Sequence, residues 1–176
     1  MKSSIALIGF MGTGKTAVGE VLAKRLDRKF VELDFLIEHR AGKSIPEIFQ
    51  QDGEIVFREL EIEVTKEVSR DKNLVIACGG GVVLNKMNID RLKQEAIIVY
   101  LTASPEIILK RVLSDGETRP LLNVPDKVLS IQELLRFRKP FYERAADIKI
   151  ATSKLDVESV AEQIISKLKE DEGFNF

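Results

Sequence analysis

The chain has 176 residues, 44% of them hydrophobic and 31% charged, and its 27 basic and 28 acidic side chains leave a formal net charge of −1. That length suits one α/β domain with a sizeable core, expected over residues 1–170 with a frayed tail at 171–176. The charge balance is no footprint for duplex nucleic acid, no apolar stretch reaches bilayer-spanning length, and the single cysteine, Cys78, excludes a disulfide framework or Cys-rich zinc site and fits a reduced, cytoplasmic chain.

Ser4 to Ile8 is a short apolar run and reads as a first strand rather than a signal peptide, because it leads directly into a glycine-rich segment. That segment, Gly9-Phe10-Met11-Gly12-Thr13-Gly14-Lys15-Thr16, matches G-x-x-x-x-G-K-[ST] in full. It lies between a predicted strand and a predicted helix, Lys15 to Leu26, with Val18, Leu22 and Leu26 at helical spacing. The glycines let backbone N–H groups curl around phosphate oxygens, and the helix start adds free donors and partial positive charge. Lys15 is expected to reach the β- and γ-phosphates and Thr16 to offer its hydroxyl to Mg²⁺. A base-reading N-K-x-D segment, which a GTPase carries, is absent from the sequence.

Phe30 to Leu33 reads as strand two, with Glu32-Leu33-Asp34 at its C-terminal end. Strand alternation points Glu32 and Asp34 to similar sides. They read as a metal-shell carboxylate and a hydroxyl-proton acceptor, or alternatively as an acidic turn with Asp34 capping a helix from Phe35. His39, between Glu38 and Arg40, reads as a surface residue. Ile45 to Ser69 reads as two helices broken near Asp52-Gly53, and Arg58 within them reads, taken alone, as a surface ion pair with Glu54 or Glu61. Leu74 to Ala77 is a buried strand ended by Gly79-Gly80-Gly81, which implies either close approach of backbone to a ligand or a tight turn.

Ile97 to Leu101 is another buried strand, followed by Ser104 as N-cap and Pro105 in the first turn of a helix. Residues Val112 to Pro125 read as a long loop, within an arginine-rich region that holds Arg111, Arg119, Arg136 and Arg138. An arginine loop beside a nucleotide site suits a lid that excludes water and steadies charge on a transferring phosphoryl group. Ile131 to Ala145 reads as helix, Ile148 to Ile150 as a last strand and Val157 to Leu168 as a last helix. Strands alternating with helices predict a parallel sheet of about five strands, flanked on both faces, with ligands beyond the strands' C-terminal ends.

Taken together, these segments resemble the shikimate kinase family from Ile5 to about Ile165. The resemblance rests on the phosphate loop, Asp34, the Gly-Glu-x-x-Phe-Arg-x-x-Glu segment around Arg58, the triple glycine, Arg119-Pro120-Leu121-Leu122, and the Arg-x-Pro-x-Tyr of Arg138 to Tyr142. It implies a P-loop kinase that transfers the γ-phosphoryl group of ATP, with Mg²⁺, to the 3-hydroxyl of shikimate. Lys15, Asp34 and Arg119 would be catalytic. Gly12, Thr13, Gly14, Lys15, Thr16, Ala17, Arg111 and Arg119 would contact ATP. Asp34, Arg58, Gly79, Gly80, Gly81 and Arg138 would contact shikimate. Thr16 would bind the metal directly and Glu32 through water. The family commonly has Asp where this chain has Glu32, and Thr or Ser where it has Cys78. A monomer, free of nucleic acid and membrane, is expected. Two other classes stay in view: another hydroxy-acid kinase, such as a gluconate kinase, against which the Arg58 segment and triple glycine argue, and a non-catalytic nucleotide-binding module, which would need neither Asp34 nor Arg119.

Overall fold

The computed structural model describes residues 1–116 and 119–176. Among them β1 (Ser4–Ile8), β2 (Lys29–Glu32), β3 (Leu74–Ala77), β4 (Ala96–Thr102) and β5 (Ile148–Ala151) form one sheet. The strand order is β2-β3-β1-β4-β5, and every neighbouring pair is parallel. β1 is therefore central and fully buried, as its unbroken apolar run requires.

Side-chain alternation along the strands splits the interior into two apolar layers. Ala6, Ile8, Leu74, Ile76, Ile98 and Tyr100 face one layer, and Ile5, Leu7, Val75, Ile97, Val99 and Leu101 face the other. The first layer is covered by α2 (Leu33–Ala41), α3 (Ile45–Gln51), α4 (Gly53–Val68), α5 (Lys86–Glu95), α6 (Pro105–Ser114) and α7 (Lys127–Ala145). The second is closed by α1 (Lys15–Arg25) and α8 (Val157–Lys169).

Local chemistry explains several boundaries. Ser44 and Glu47 form a reciprocal capping box at the start of α3, with Pro46 in the first turn. Ser104 caps α6 and Pro105 opens it, while Asp126 caps α7. Helix α5 escaped the sequence reading. It is mostly polar, and its inward stripe is Asn88, Ile89 and Leu92, too thin for its period to stand out.

Three expectations need correction. Leu33 and Asp34 do not extend β2; they form the first turn of α2, so Asp34 is aimed by a helix and not by strand alternation. The lid does not begin at Val112, because α6 continues through Ser114 and a short 3₁₀ turn spans Pro120–Leu122. Residues 117 and 118 of that segment lie outside the described residues.

The tail is the third. It folds back on the sheet: Lys2 N–H donates to Gly173 O at 2.7 Å and Asn175 N–H to Lys2 O at 2.8 Å. Phe174 is buried beneath the Arg28 guanidinium, 4.5 Å from the ring centroid. The expected result of Phe174→Ala is a loss of about 3 kcal/mol and a fall in Tm of about 10 °C, followed by circular dichroism; a frayed tail would leave Tm unchanged.

Candidate active site

The phosphate loop leaves the C-terminal end of β1 and turns into α1. Its backbone is left-handed at Gly12 and Gly14, with φ of 76° and 90°, where any side chain would be strained. The loop is also stapled from within. Thr13 is buried, and its hydroxyl donates to Phe10 O at 2.8 Å. Lys15 Nζ donates to Gly9 O and Phe10 O, both at 2.9 Å, and burial lowers its pKa to about 8, against the opposing pull of Asp34. Thr16 Oγ1 donates to Glu32 Oε1 at 2.9 Å, which leaves the hydroxyl lone pairs outward. Ala17 is exposed at the start of α1.

Two cavities lie beside this loop. One is lined by Lys15, Thr16, Ala17, Cys78 and the loop backbone. The other, about 410 Å³, is walled by Arg58, Glu61, Arg138 and the triple glycine, with Ile45, Pro46, Phe49 and Phe57 supplying apolar surface. That volume suits a small, singly bound metabolite. Glu32, Asp34 and Arg119 line both cavities, so the two spaces meet there.

Asp34 Oδ1 is buried without a hydrogen-bond partner among the described residues. Burial raises the Asp34 pKa, and the nearby Lys15 charge pulls it back down. Arg58 donates from Nη1 to Glu61 Oε1 at 3.1 Å and from Nη2 to Glu54 Oε1 at 3.4 Å. Both ion pairs expected from helical spacing thus exist: the Glu54 pair lies at the surface, whereas Glu61 is only 2% exposed, so its pair with Arg58 is buried on the carboxylate side. Burial also raises the Glu61 pKa, opposed by Arg58. Arg138 is 3% exposed, and its Nε has no hydrogen-bond partner among the described residues. A guanidinium held this deep favours an anion in the adjoining cavity.

The triple glycine follows β3 and is closely approached by these groups. A methyl group at Gly79 would lie 2.8 Å from Asp34 Oδ1 and 3.2 Å from Glu61 Oε2, and one at Gly80 would lie 3.2 Å from Arg138 Nη1. At Gly81 it would overlap the Arg58 guanidinium. The segment is a tight turn, closed by Val82 N–H donating to Gly79 O at 3.1 Å, and its backbone is closely approached by the side chains that wall the cavity.

Arg111 stands apart from the acceptor cavity. Its Nη1 donates to Gly12 O at 3.1 Å and Thr152 Oγ1 at 3.3 Å, in a separate hollow lined also by Leu155 and Val157. Arg119 reaches the cavity junction from beyond α6, and its Nη2 pairs with Asp115. Cys78 packs in the apolar layer, and burial pushes its thiol pKa up, which keeps it neutral. His39 is exposed.

Sequence reasoning missed Glu61 as a buried group and missed the apolar wall. A signal existed for the first: Phe57, Glu61, Val64 and Val68 recur at helical spacing, and all four are buried on α4. A charged residue inside an apolar stripe marks a buried polar contact.

A family model described as shikimate kinase matches residues 11–169. The chain is 49% identical over 162 residues to a shikimate kinase of Caldanaerobacter subterraneus subsp. tengcongensis, covering 92% of this chain and 94% of that one. It is 41% identical over 168 residues to a shikimate kinase of Symbiobacterium thermophilum, covering 95% and 97%. The solved structure of shikimate kinase from Acinetobacter baumannii in complex with shikimate superimposes with a TM-score of 0.92 at 37% identity, covering 98% of this chain and 96% of that one.

Proposed function

Because the chain belongs to the shikimate kinase family, an ATP-dependent phosphotransferase with an alcohol acceptor, we propose that the two joined cavities hold ATP and shikimate for transfer of the γ-phosphoryl group to the 3-hydroxyl, giving shikimate 3-phosphate and ADP. The observation that carries this reading is the meeting of a phosphate-loop cavity with an arginine-walled acceptor cavity at Asp34 and Arg119. Phosphoryl transfer asks for in-line positioning and charge neutralisation more than covalent help.

Each residue then has a task. Gly12, Thr13, Gly14, Thr16 and Ala17 cradle the nucleotide phosphates through backbone donors at the start of α1. Lys15 carries its charge to the β- and γ-phosphates. Arg111 lies along the adenine, in the hollow it shares with Thr152. Arg58 and Arg138 pair with the shikimate carboxylate, a role suited to the planar guanidinium fork. Gly79, Gly80 and Gly81 bring backbone close to the ring. Asp34 orients the acceptor hydroxyl and takes its proton.

The residues also fit Mg²⁺. Thr16 presents hydroxyl lone pairs and Glu32 is hydrogen-bonded to it, while no cluster of three or more His, Cys, Asp or Glu able to hold a metal occurs among the described residues. That suits an ion bound largely by phosphates and water. Thr16 would hold it directly and Glu32 through water, and when bound it would neutralise phosphate charge. No helix among the described residues is long and apolar enough to cross a membrane. A monomer is the proposed active unit. Small-molecule substrates, the net charge of −1 and the lone cysteine support a cytoplasmic enzyme that binds no nucleic acid.

The test is incubation with MgATP and a panel of hydroxy-acids including shikimate and gluconate, following ADP release and phosphorylated product. Shikimate is expected to turn over fastest; faster gluconate turnover would sink the reading. In the same assay, Arg58→Ala or Arg138→Ala should lower kcat/KM for shikimate by about ten- to a hundredfold each, the worth of a charge-assisted hydrogen bond. The KM for ATP should change little. If ATP binding collapsed while shikimate handling survived, both arginines would need reassignment.

A further inference from the structure

Tyr142 lies on α7, one helical turn beyond Arg138, and is fully buried. Its ring stacks on Tyr100 on β4, with centroids 5.1 Å apart and planes 25° apart. Its hydroxyl donates a hydrogen bond to Gly80 O, in the middle of the triple glycine. Tyr142 does not itself line the acceptor cavity, whereas Gly79, Gly80, Gly81, Arg58 and Arg138 do. A tyrosine fully buried behind a glycine loop has one polar atom, and that atom donates to the loop's backbone while it also meets the Arg138 side chain.

We propose that Tyr142 is a positioning residue that holds the Gly80–Gly81 peptide plane so that the Gly81 N–H faces the acceptor. The argument is covalent geometry. No cis peptide bond occurs among the described residues, and across a planar trans peptide the C=O and the following N–H point in opposite directions. Anchoring Gly80 O from behind therefore turns the Gly81 N–H forward. Neither Gly80 nor Gly81 N–H donates a hydrogen bond within the protein among the described residues; Val82 N–H closes the turn on Gly79 O, and Tyr142 is the contact made at the central Gly80–Gly81 peptide itself. Three successive glycines have little intrinsic preference of their own. The same helix turn carries Arg138, whose Nη1 would meet a methyl group at Gly80 at 3.2 Å, so one rigid element sets both an acceptor cation and an acceptor N–H. Burial pushes the Tyr142 pKa up to about 12 despite the Arg138 charge, so the phenol keeps its proton and remains a donor at neutral pH.

This inference rests on the acceptor reading given above, and the test separates the two. Tyr142→Phe keeps the ring and its stacking on Tyr100 and removes only the hydroxyl. In the ligand-free protein, the Gly81 amide resonance should shift. An unchanged Gly81 amide overturns the proposal whatever the acceptor proves to be. Calorimetric titration with shikimate should show about five- to tenfold weaker binding by Tyr142→Phe, the worth of one lost hydrogen bond, with ATP binding unaltered. Equal loss of ATP and shikimate affinity, together with a lower Tm, would show general loosening and overturn the positioning role. A wild-type protein that binds ATP but not shikimate would overturn the acceptor assignment, and the amide measurement would still decide the role of Tyr142.

Discussion

Arg119→Ala is expected to lower kcat by roughly a thousandfold, the lower end of what a transition-state arginine supplies in phosphoryl transfer, with little change in KM for ATP or shikimate. The reasoning starts from position. Arg119 follows the end of α6 and lines both the phosphate-loop cavity and the acceptor cavity. On the proposed reading the group in transit passes between those two spaces, where its charge is most exposed. In the structure Arg119 Nη2 is paired with Asp115, so the guanidinium already stands at the junction on a segment that can exchange one anion for another. An interaction made chiefly in the transition state appears in kcat and not in KM. Single-turnover kinetics would check that the loss lies in the chemical step. A variant with normal kcat would mean that the segment is no catalytic lid.

Asp34→Asn should lower kcat by roughly 10² to 10⁴-fold, the usual worth of a placed general base. Asparagine keeps the size and removes the ability to take a proton. The pH dependence supplies the control. On the proposed reading Asp34 acts ionised, and burial raises its pKa above the ordinary carboxylate value, so kcat/KM for shikimate should fall as pH drops through that raised pKa. On the same reading Lys15 acts charged, and burial lowers its pKa to about 8, so kcat/KM for ATP should fall as pH rises past that value. In Asp34→Asn the acid limb should vanish while the alkaline limb stays. An acid limb that persists would mean that another group carries it, for example Glu61, whose pKa is also raised by burial.

The elements with strong local signals were legible in the sequence. β1, β3 and α8 appeared within a residue of their observed limits, because unbroken apolar runs and a clear helical stripe need no tertiary information. The phosphate loop was legible for the same reason: its motif, preceding strand and following helix all agree. What failed depended on packing. Asp34 reads as part of a strand until α2 is seen to begin at Leu33. Phe174 looks like a loose end until Arg28 and Lys2 are seen to receive it. Tyr142 was visible only as a member of a motif, because its role depends on a carbonyl 62 residues away.

Burial of Glu61 illustrates the same limit from the other side. Its spacing from Arg58 predicted the ion pair, yet the energetic meaning of that pair reverses with depth. An exposed pair of this kind contributes little. A buried carboxylate that loses its cation is left uncompensated, which is strongly destabilising. Spacing along a helix reports which groups meet, and the surrounding shell decides what the meeting is worth.

The sheet also acts as a bulkhead. The layer under α2 to α7 contains Phe10, Cys78, Val82 and Tyr142, on the side of the acceptor cavity, whereas the layer under α1 and α8 contains Ile164, Ile165 and Leu168. Distant substitutions without shared partners act nearly independently. Heat or cold adaptation can therefore be written into the α8 side, by refilling or loosening that layer, while acceptor geometry on the opposite side is left to selection for turnover.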